Sequence, residues 1–180
     1  FLIIGSNSFS GSHFVDHLLS LGHNVVGISR SKNMNNIFLP YKKNKNVKNF
    51  VFFKIDLNVD KDNDKIISLI KKFKISHVVN FAAQVMVAES WLYPIDYYKT
   101  NVISLVNLTN KLIKYKLLKK FVHVSTPEVY GNITGMTNEN TVYNPSTPYA
   151  ISRSCLDMHL MALKKNYNFP VVFTRAANVY

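Results

Sequence analysis

The sequence has one cysteine, Cys155, among its 180 residues, so no intramolecular disulfide can staple the fold and a reducing cytoplasm is the expected compartment. Its six histidines are scattered, and no histidine and cysteine group stands at metal-ligand spacing, so no metal centre is expected. No apolar run approaches the roughly 18 residues that a membrane span requires. Phe1-Leu2-Ile3-Ile4 runs straight into Gly5 rather than through a signal-peptide pattern, and no membrane partner is expected. Acidic residues are scarce, 10 against 22 lysines and arginines, for a formal charge of +12. That imbalance would suit nucleic acid or anionic lipid. The lysines instead fall in short groups at 42 to 48, 71 to 74, 111 to 120 and 164 to 165, mostly where helices end or loops begin, where they complement the helix dipole. A solvated basic surface is expected, and no nucleic-acid partner. An initiator methionine is also missing, and Val179-Tyr180 follows directly on a strand-like run, so the expectation is a fragment of a longer chain.

What is present is a chain with 47% apolar residues and 13% aromatics, enough to bury the core of one domain spanning residues 1–180. Short apolar runs at 1–4, 25–28, 50–55, 77–81, 121–124 and 170–174 read as strands of a buried parallel sheet. Between them, apolar residues recur at helical spacing: Phe14, Val15, Leu18 and Leu19 in one segment, and Ile66, Ile67, Leu69, Ile70 and Phe73 in another. A long helix is expected from Pro94 to about Tyr115 and another from Ser146 to about Tyr167, with surface loop or short helix at 30–49 and a loop at 138–148. Strands alternating with helices imply right-handed crossovers and a doubly wound parallel α/β sheet, the Rossmann class. Ligands of such sheets bind beyond the carboxyl ends of the strands, where the connection order reverses. Gly5, Ser29, Asp56, Phe81 to Gln84, Ser125 to Glu128 and Arg175 to Tyr180 all follow strand ends and are expected on one rim.

Gly5-Ser6-Asn7-Ser8-Phe9-Ser10-Gly11 joins the first strand to the first helix. Its glycines allow a tight turn and close helix packing, and the helix start offers amides to a pyrophosphate. Ser8 stands where a third glycine is expected, displacing the backbone or lending its hydroxyl to a phosphate. After the second strand, Ser29-Arg30 replaces the acidic residue that would hold a ribose diol. Arg30 either pairs with a 2′-phosphate, which favours NADP over NAD, or is a plain surface residue. Asp56 either accepts from an adenine amine or caps a turn.

These stretches resemble, in order and spacing, the extended short-chain dehydrogenase/reductases that act on nucleotide sugars. The matching positions are Gly5 and Gly11, Asp56-Leu57, Asn80-Phe81-Ala82-Ala83-Gln84, Asn101, Ser125-Thr126-Pro127-Glu128-Val129-Tyr130-Gly131, Tyr149, and Arg175 with Asn178 and Tyr180. The Thr126-x-Glu128 pattern is similar to the 4,6-dehydratases of dTDP-glucose and GDP-mannose. The resemblance implies an NAD(P) cofactor held by Gly5, Ser8, Phe9, Gly11, Ser29, Arg30, Asp56, Leu57, Phe81, Ala82, Ala83, Gln84, Asn101, Ser125, Tyr149 and Arg153. It implies catalysis by Thr126, Glu128, Tyr149 and Arg153 on a nucleotide sugar, a homodimer through the two long helices, and a C-terminal substrate domain that this chain lacks. Two positions depart from the family. Arg153 stands for the lysine of Tyr-x-x-x-Lys, keeping the charge but changing reach and geometry. Pro127 stands where the dTDP-glucose enzymes have an acidic proton donor, which leaves Glu128 to serve as both base and acid.

Plainer readings stand beside these. Thr126 fits an ordinary strand-end hydroxyl, Glu128 a surface carboxylate, and Glu89 and Trp91 either a substrate mouth or a helix start. Tyr130, Tyr143, Cys155 and His123 are expected to be packing or structural residues. A 4-epimerase or related reductase is the alternative activity, and a non-catalytic dinucleotide-binding module the alternative outside enzymes.

Overall fold

A computed structural model of the chain describes residues 1–31, 35–177 and 179. Six parallel strands form a single sheet in the order β3-β2-β1-β4-β5-β6: β1 Leu2–Ile4, β2 Val25–Ser29, β3 Phe50–Lys54, β4 His77–Asn80, β5 Lys120–Ser125 and β6 Val171–Arg175. The order reverses between β1 and β4, which pair directly, Ile3 opposite Val79. This is the doubly wound arrangement expected, with its crevice at the carboxyl ends of β1 and β4.

Both faces are covered. Helix α1 (Phe9–Ser20) turns Val15, Leu18 and Leu19 inward against Ile3, Val25, Val79 and the buried Leu39 and Tyr41 of the 30–49 segment. The described residues of that segment from 35 onward form three single turns of 3₁₀ helix, Asn36–Phe38, Pro40–Lys43 and Val47–Asn49. It is anchored by Tyr41, whose hydroxyl donates to Asn7 Oδ1 at 3.1 Å and whose burial pushes its pKa up to about 12. On the opposite face α2 (Asp60–Lys72), α5 (Ser104–Leu112) and α6 (Pro148–Tyr167) bury Ile66, Ile70, Leu105, Leu108, Leu156 and Leu160 against Ile4, Val78, Phe121 and Val171.

The long helix expected at 94–115 is interrupted. Short helices α3 (Val87–Leu92) and α4 (Pro94–Tyr98) lead into a π-helical turn, Lys99–Ile103, before α5. A widened turn re-aims side chains relative to a regular helix, and such turns collect at functional sites. Here it carries Asn101, fully buried, whose amide clamps both the N–H and the carbonyl of Gln84 at 2.8 and 2.9 Å and reaches Ser152 Oγ at 2.9 Å. The helix expected from Ser146 starts at Pro148, after an N-cap at Thr147 whose hydroxyl accepts from the Ala150 N–H.

Beyond β5, Thr126 caps a 3₁₀ turn at Pro127–Tyr130, and Gly131 closes it at φ +75°. A Cβ at Gly131 would lie 2.0 Å from the Asn144 carbonyl oxygen, and the Asn144 N–H donates to Val129 at 3.0 Å. Glycine thus lets the returning loop lie flat against the turn that carries Glu128. Gly131→Ala is expected to destabilise the chain by about 1–3 kcal/mol through a left-handed alanine and a displaced loop, read as a lower urea midpoint at unchanged slope.

Candidate active site

At the switch point the carboxyl ends of β1, β2, β3 and β4 enclose a cleft of about 230 Å³. It is lined by Gly5, Ser8, Ser29, Arg30, Asp56, Leu57, Phe81, Ala82, Ala83 and Gln84, together with Asn7, Asn58 and Thr100. The first loop is held close: a Cβ at Gly11 would lie 2.2 Å from the Gly5 carbonyl oxygen, so only glycine lets α1 start against the strand end.

Ser8 lines the cleft and also has a local partner in the loop. Its hydroxyl donates to the Gly5 carbonyl at 2.8 Å and accepts from the Gly11 N–H at 3.1 Å, making it the N-cap of α1. Ser29 Oγ accepts from the Asn7 N–H at 3.0 Å. Asp56 takes the capping option, its Oδ1 accepting from the Asn58 N–H at 3.0 Å. Arg30 is exposed on the cleft wall. Phe9 is exposed and packs on His13, ring centroids 4.8 Å apart. Asn101 reaches the cleft only through Gln84.

The second half of the site lies where β5 and β6 end against α6. Thr126 and Tyr149 are buried at 6% and 8% exposure, while Glu128 is exposed. Tyr149 falls in the first turn of α6, and its ring meets Tyr97 edge-on at 6.4 Å; Tyr97 in turn donates to the Met86 carbonyl at 2.5 Å. Arg153, one turn on and 2% exposed, sends Nη2 to the Val124 carbonyl, beside His123 Nε2 at 3.3 Å. Its Nε and Nη1 are buried with no protein partner. Burial lowers its pKa, and the neighbouring Tyr149 and Asp157 oppose that shift.

The structure adds a centre that the motifs did not mark. Asp157, fully buried on α6, accepts at Oδ2 from Ser125 Oγ (2.7 Å), Tyr143 Oη (3.1 Å) and Arg175 Nη2 (3.2 Å). Arg175 also donates to the Tyr143 hydroxyl and lies over the rings of Tyr130, Tyr143 and Phe173 at 5.2 to 5.5 Å. Tyr143 and Tyr130 are therefore packing residues, as expected, but packed around a charge. Burial pushes the Asp157 pKa up, against the hydrogen bonds and arginines that hold it down. A carboxylate one turn past Arg153 and two past Tyr149, on the buried face of α6, was the available signal. Asn178 and Tyr180 lie outside the described residues. Among the described residues no cluster suited to a metal ion is present, and no helix is long and apolar enough to cross a membrane.

A glycine-tight helix start, a crevice of mixed polar and apolar lining at the switch point and an arginine with two buried, unpaired donors fit a dinucleotide. Comparison with known proteins agrees on the family: the model for GDP-mannose 4,6 dehydratase matches residues 2–180. The chain belongs to this family. It is 31% identical to dTDP-D-glucose 4,6-dehydratase of Dictyostelium discoideum and to dTDP-glucose 4,6-dehydratase of a Xanthomonas campestris strain, each over 99% of the chain. It covers 43% and 53% of those relatives, so the chain spans about half their length. Among solved structures it is similar to dTDP-glucose 4,6-dehydratase of Bacillus anthracis in complex with NAD (TM-score 0.84, 32% identity, 99% of this chain and 55% of that one). It is equally similar in fold to UDP-glucose 4-epimerase of Thermotoga maritima with UDP-glucose (TM-score 0.84, 31% identity, 99% and 55%). The family thus joins dehydratases and epimerases on this sheet.

The buried histidine of this dehydratase-family chain makes a thermodynamic prediction. Burial, with Arg153 and Arg175 nearby, holds His123 well below its ordinary pKa. The unfolded chain therefore binds a proton that the folded one refuses as pH falls below about 6.5, and stability drops. Unfolding free energy should fall by up to about 1.4 kcal/mol per pH unit for this group, lost progressively from pH 6.5 toward the folded pKa. Urea titrations at stepped pH should show that His123→Phe flattens the slope.

Proposed function

We propose that the chain is the cofactor-binding portion of a nucleotide-sugar 4,6-dehydratase, with Thr126, Glu128, Tyr149 and Arg153 as its catalytic residues. The observation that carries this reading is the grouping of a buried phenol, a buried hydroxyl and an exposed carboxylate where β5 meets α6, on the same rim as the crevice at the switch point. A nicotinamide dinucleotide, when bound, would supply the hydride acceptor for transient oxidation at the sugar C4 and the reductant for C6. Tyr149 takes the proton of the C4 hydroxyl, and Thr126 hydrogen-bonds the same oxygen. The 4-ketone acidifies the C5 proton, which Glu128 removes. With Pro127 unable to donate, protonated Glu128 then gives its proton to the C6 hydroxyl, which departs as water, so one carboxyl serves both halves of the elimination; saturating the resulting C5–C6 double bond takes a hydride at C6 and a proton from solvent at C5. Its exposure suits a group that meets a substrate arriving from solvent.

Arg153 contributes a charge that ordinary conditions do not remove. Its unpaired Nε and Nη1 form a planar edge suited to the two hydroxyls of the nicotinamide ribose. The exposed Arg30 on the crevice wall supports a preference for NADP, whose 2′-phosphate its guanidinium would pair with. The relatives' dTDP-glucose and the family's GDP-mannose are the substrate candidates. The exposed Ile95, Ile103, Ile151 and Met158 on α4, the π turn and α6 support a homodimer through these helices. The second reading, a 4-epimerase, is favoured by the fold similarity to the Thermotoga enzyme and leaves Glu128 without a role.

Full-length protein given dTDP-glucose or GDP-mannose should yield a 4-keto-6-deoxy sugar, and formation of the C4 epimer alone would refute the dehydratase reading. Glu128→Gln should keep hydride exchange at C4 and lose elimination by about 10²–10⁴-fold, the usual share of a positioned base. Arg30→Ala should weaken NADP binding more than NAD binding; equal affinities in the unsubstituted chain would remove Arg30 from the argument.

A further inference from the structure

His123 sits at the centre of the buried polar group, facing Asn80, Arg153 and Asp157, with Arg175 nearby and Phe173 edge-on at a centroid distance of 6.3 Å. Its protonation can be worked out from its neighbours. Asn80 Oδ1 accepts from the Ala82 backbone N–H at 3.2 Å. That contact orients the amide and turns the donor Nδ2 toward His123 Nδ1, also at 3.2 Å. Nδ1 must therefore be the acceptor, and in a neutral ring the proton resides on Nε2. The acceptor that Nε2 faces is Asp157 Oδ1 at 3.6 Å. That oxygen has no hydrogen-bond partner, because Ser125, Tyr143 and Arg175 all converge on Oδ2.

The other states fail. With the proton on Nδ1, His123 would oppose the Asn80 amide donor; flipping that amide would instead set its nitrogen against the Ala82 N–H. The imidazolium meets the same opposition and lies beside two guanidinium groups. With Nε2 protonated, Arg153 Nη2 at 3.3 Å cannot donate to it and is left to the Val124 carbonyl, which keeps Nε and Nη1 free.

We propose that His123 is a positioning residue: neutral and protonated on Nε2, it braces Asn80 at the end of β4 against Asp157 on α6 and limits how the Arg153 guanidinium can sit. The strand end that carries Phe81 to Gln84 and the helix that carries Tyr149 and Arg153 are thereby held in one register. The consequence for binding rests on the cofactor reading above; the tautomer does not.

Nitrogen-15 NMR of the chain's histidine side chains tests the tautomer. The signals lost in His123→Phe should show a bare Nδ1 and a protonated Nε2, unmoved between about pH 5 and pH 8. A bare Nε2, or titration in that range, would overturn the proposal. Titration with NAD tests the positioning role. His123→Phe should weaken binding by about tenfold, and His123→Gln, which can present a carbonyl to Asn80 and an N–H to Asp157, should stay within about threefold of the parent chain. Equal losses in the two variants, tracking their stability, would reduce His123 to a packing residue. If the parent chain binds no dinucleotide, the cofactor reading fails by itself, and the NMR result still decides the tautomer.

Discussion

A single buried carboxylate holds the site half of this molecule together. Asp157 gathers Ser125 from the end of β5, Arg175 from the end of β6 and Tyr143 from the loop before α6, all onto one oxygen. Those are the segments whose relative placement decides where Thr126, Glu128 and Tyr149 stand. An ion in such a place is expensive to desolvate, and breaking it is worse than never having it, because the partner charge stays buried. The arrangement trades stability for a fixed geometry. The aromatic walls of Tyr130, Tyr143 and Phe173 around Arg175 strengthen that choice by keeping water from the pair.

The cofactor half obeys a different constraint, close approach. Gly11 against Gly5 and the Asn101 clamp on Gln84 are backbone arrangements, made so that main-chain groups rather than long side chains shape the crevice. Ser8 belongs to the same logic. Its hydroxyl satisfies the helix start from within, so a residue larger than the expected glycine is accommodated without leaving an orphan donor.

How much of this was legible in sequence follows from the range of each interaction. Strands and helices were visible because burial imposes a period on neighbouring residues, and the rim followed from the rule that ligands sit at strand ends. The π turn at Lys99–Ile103 was not visible: apolar periodicity survives one widened turn, so 94–115 reads as a single helix. Ser8 and Asp56 were placed correctly on the rim, but their short hydroxyl and carboxylate turned to local N–H groups, a competition that spacing cannot resolve. Phe9 lies in the first turn of α1 with its side chain exposed and is not among the residues that line the cleft. Asp157 stayed hidden because its partners lie 14 to 32 residues away, and a lone acid on a helix has no sequence neighbour to betray it.

Arg153 is where the two halves meet. A lysine here would offer one ammonium on a flexible stem, free to swing between tyrosine and ribose. The guanidinium is planar and its donors point in fixed directions, so committing Nη2 to the Val124 carbonyl dictates where the remaining edge lies. That geometry explains why a conservative-looking exchange is compatible with the surrounding group only if the wall behind it is rigid. The wall is His123, itself fixed from β4 by Asn80 and from α6 by Asp157. An arginine at this position and the histidine behind it therefore act as one feature: loosening either would free the guanidinium from the Val124 carbonyl that now fixes its plane.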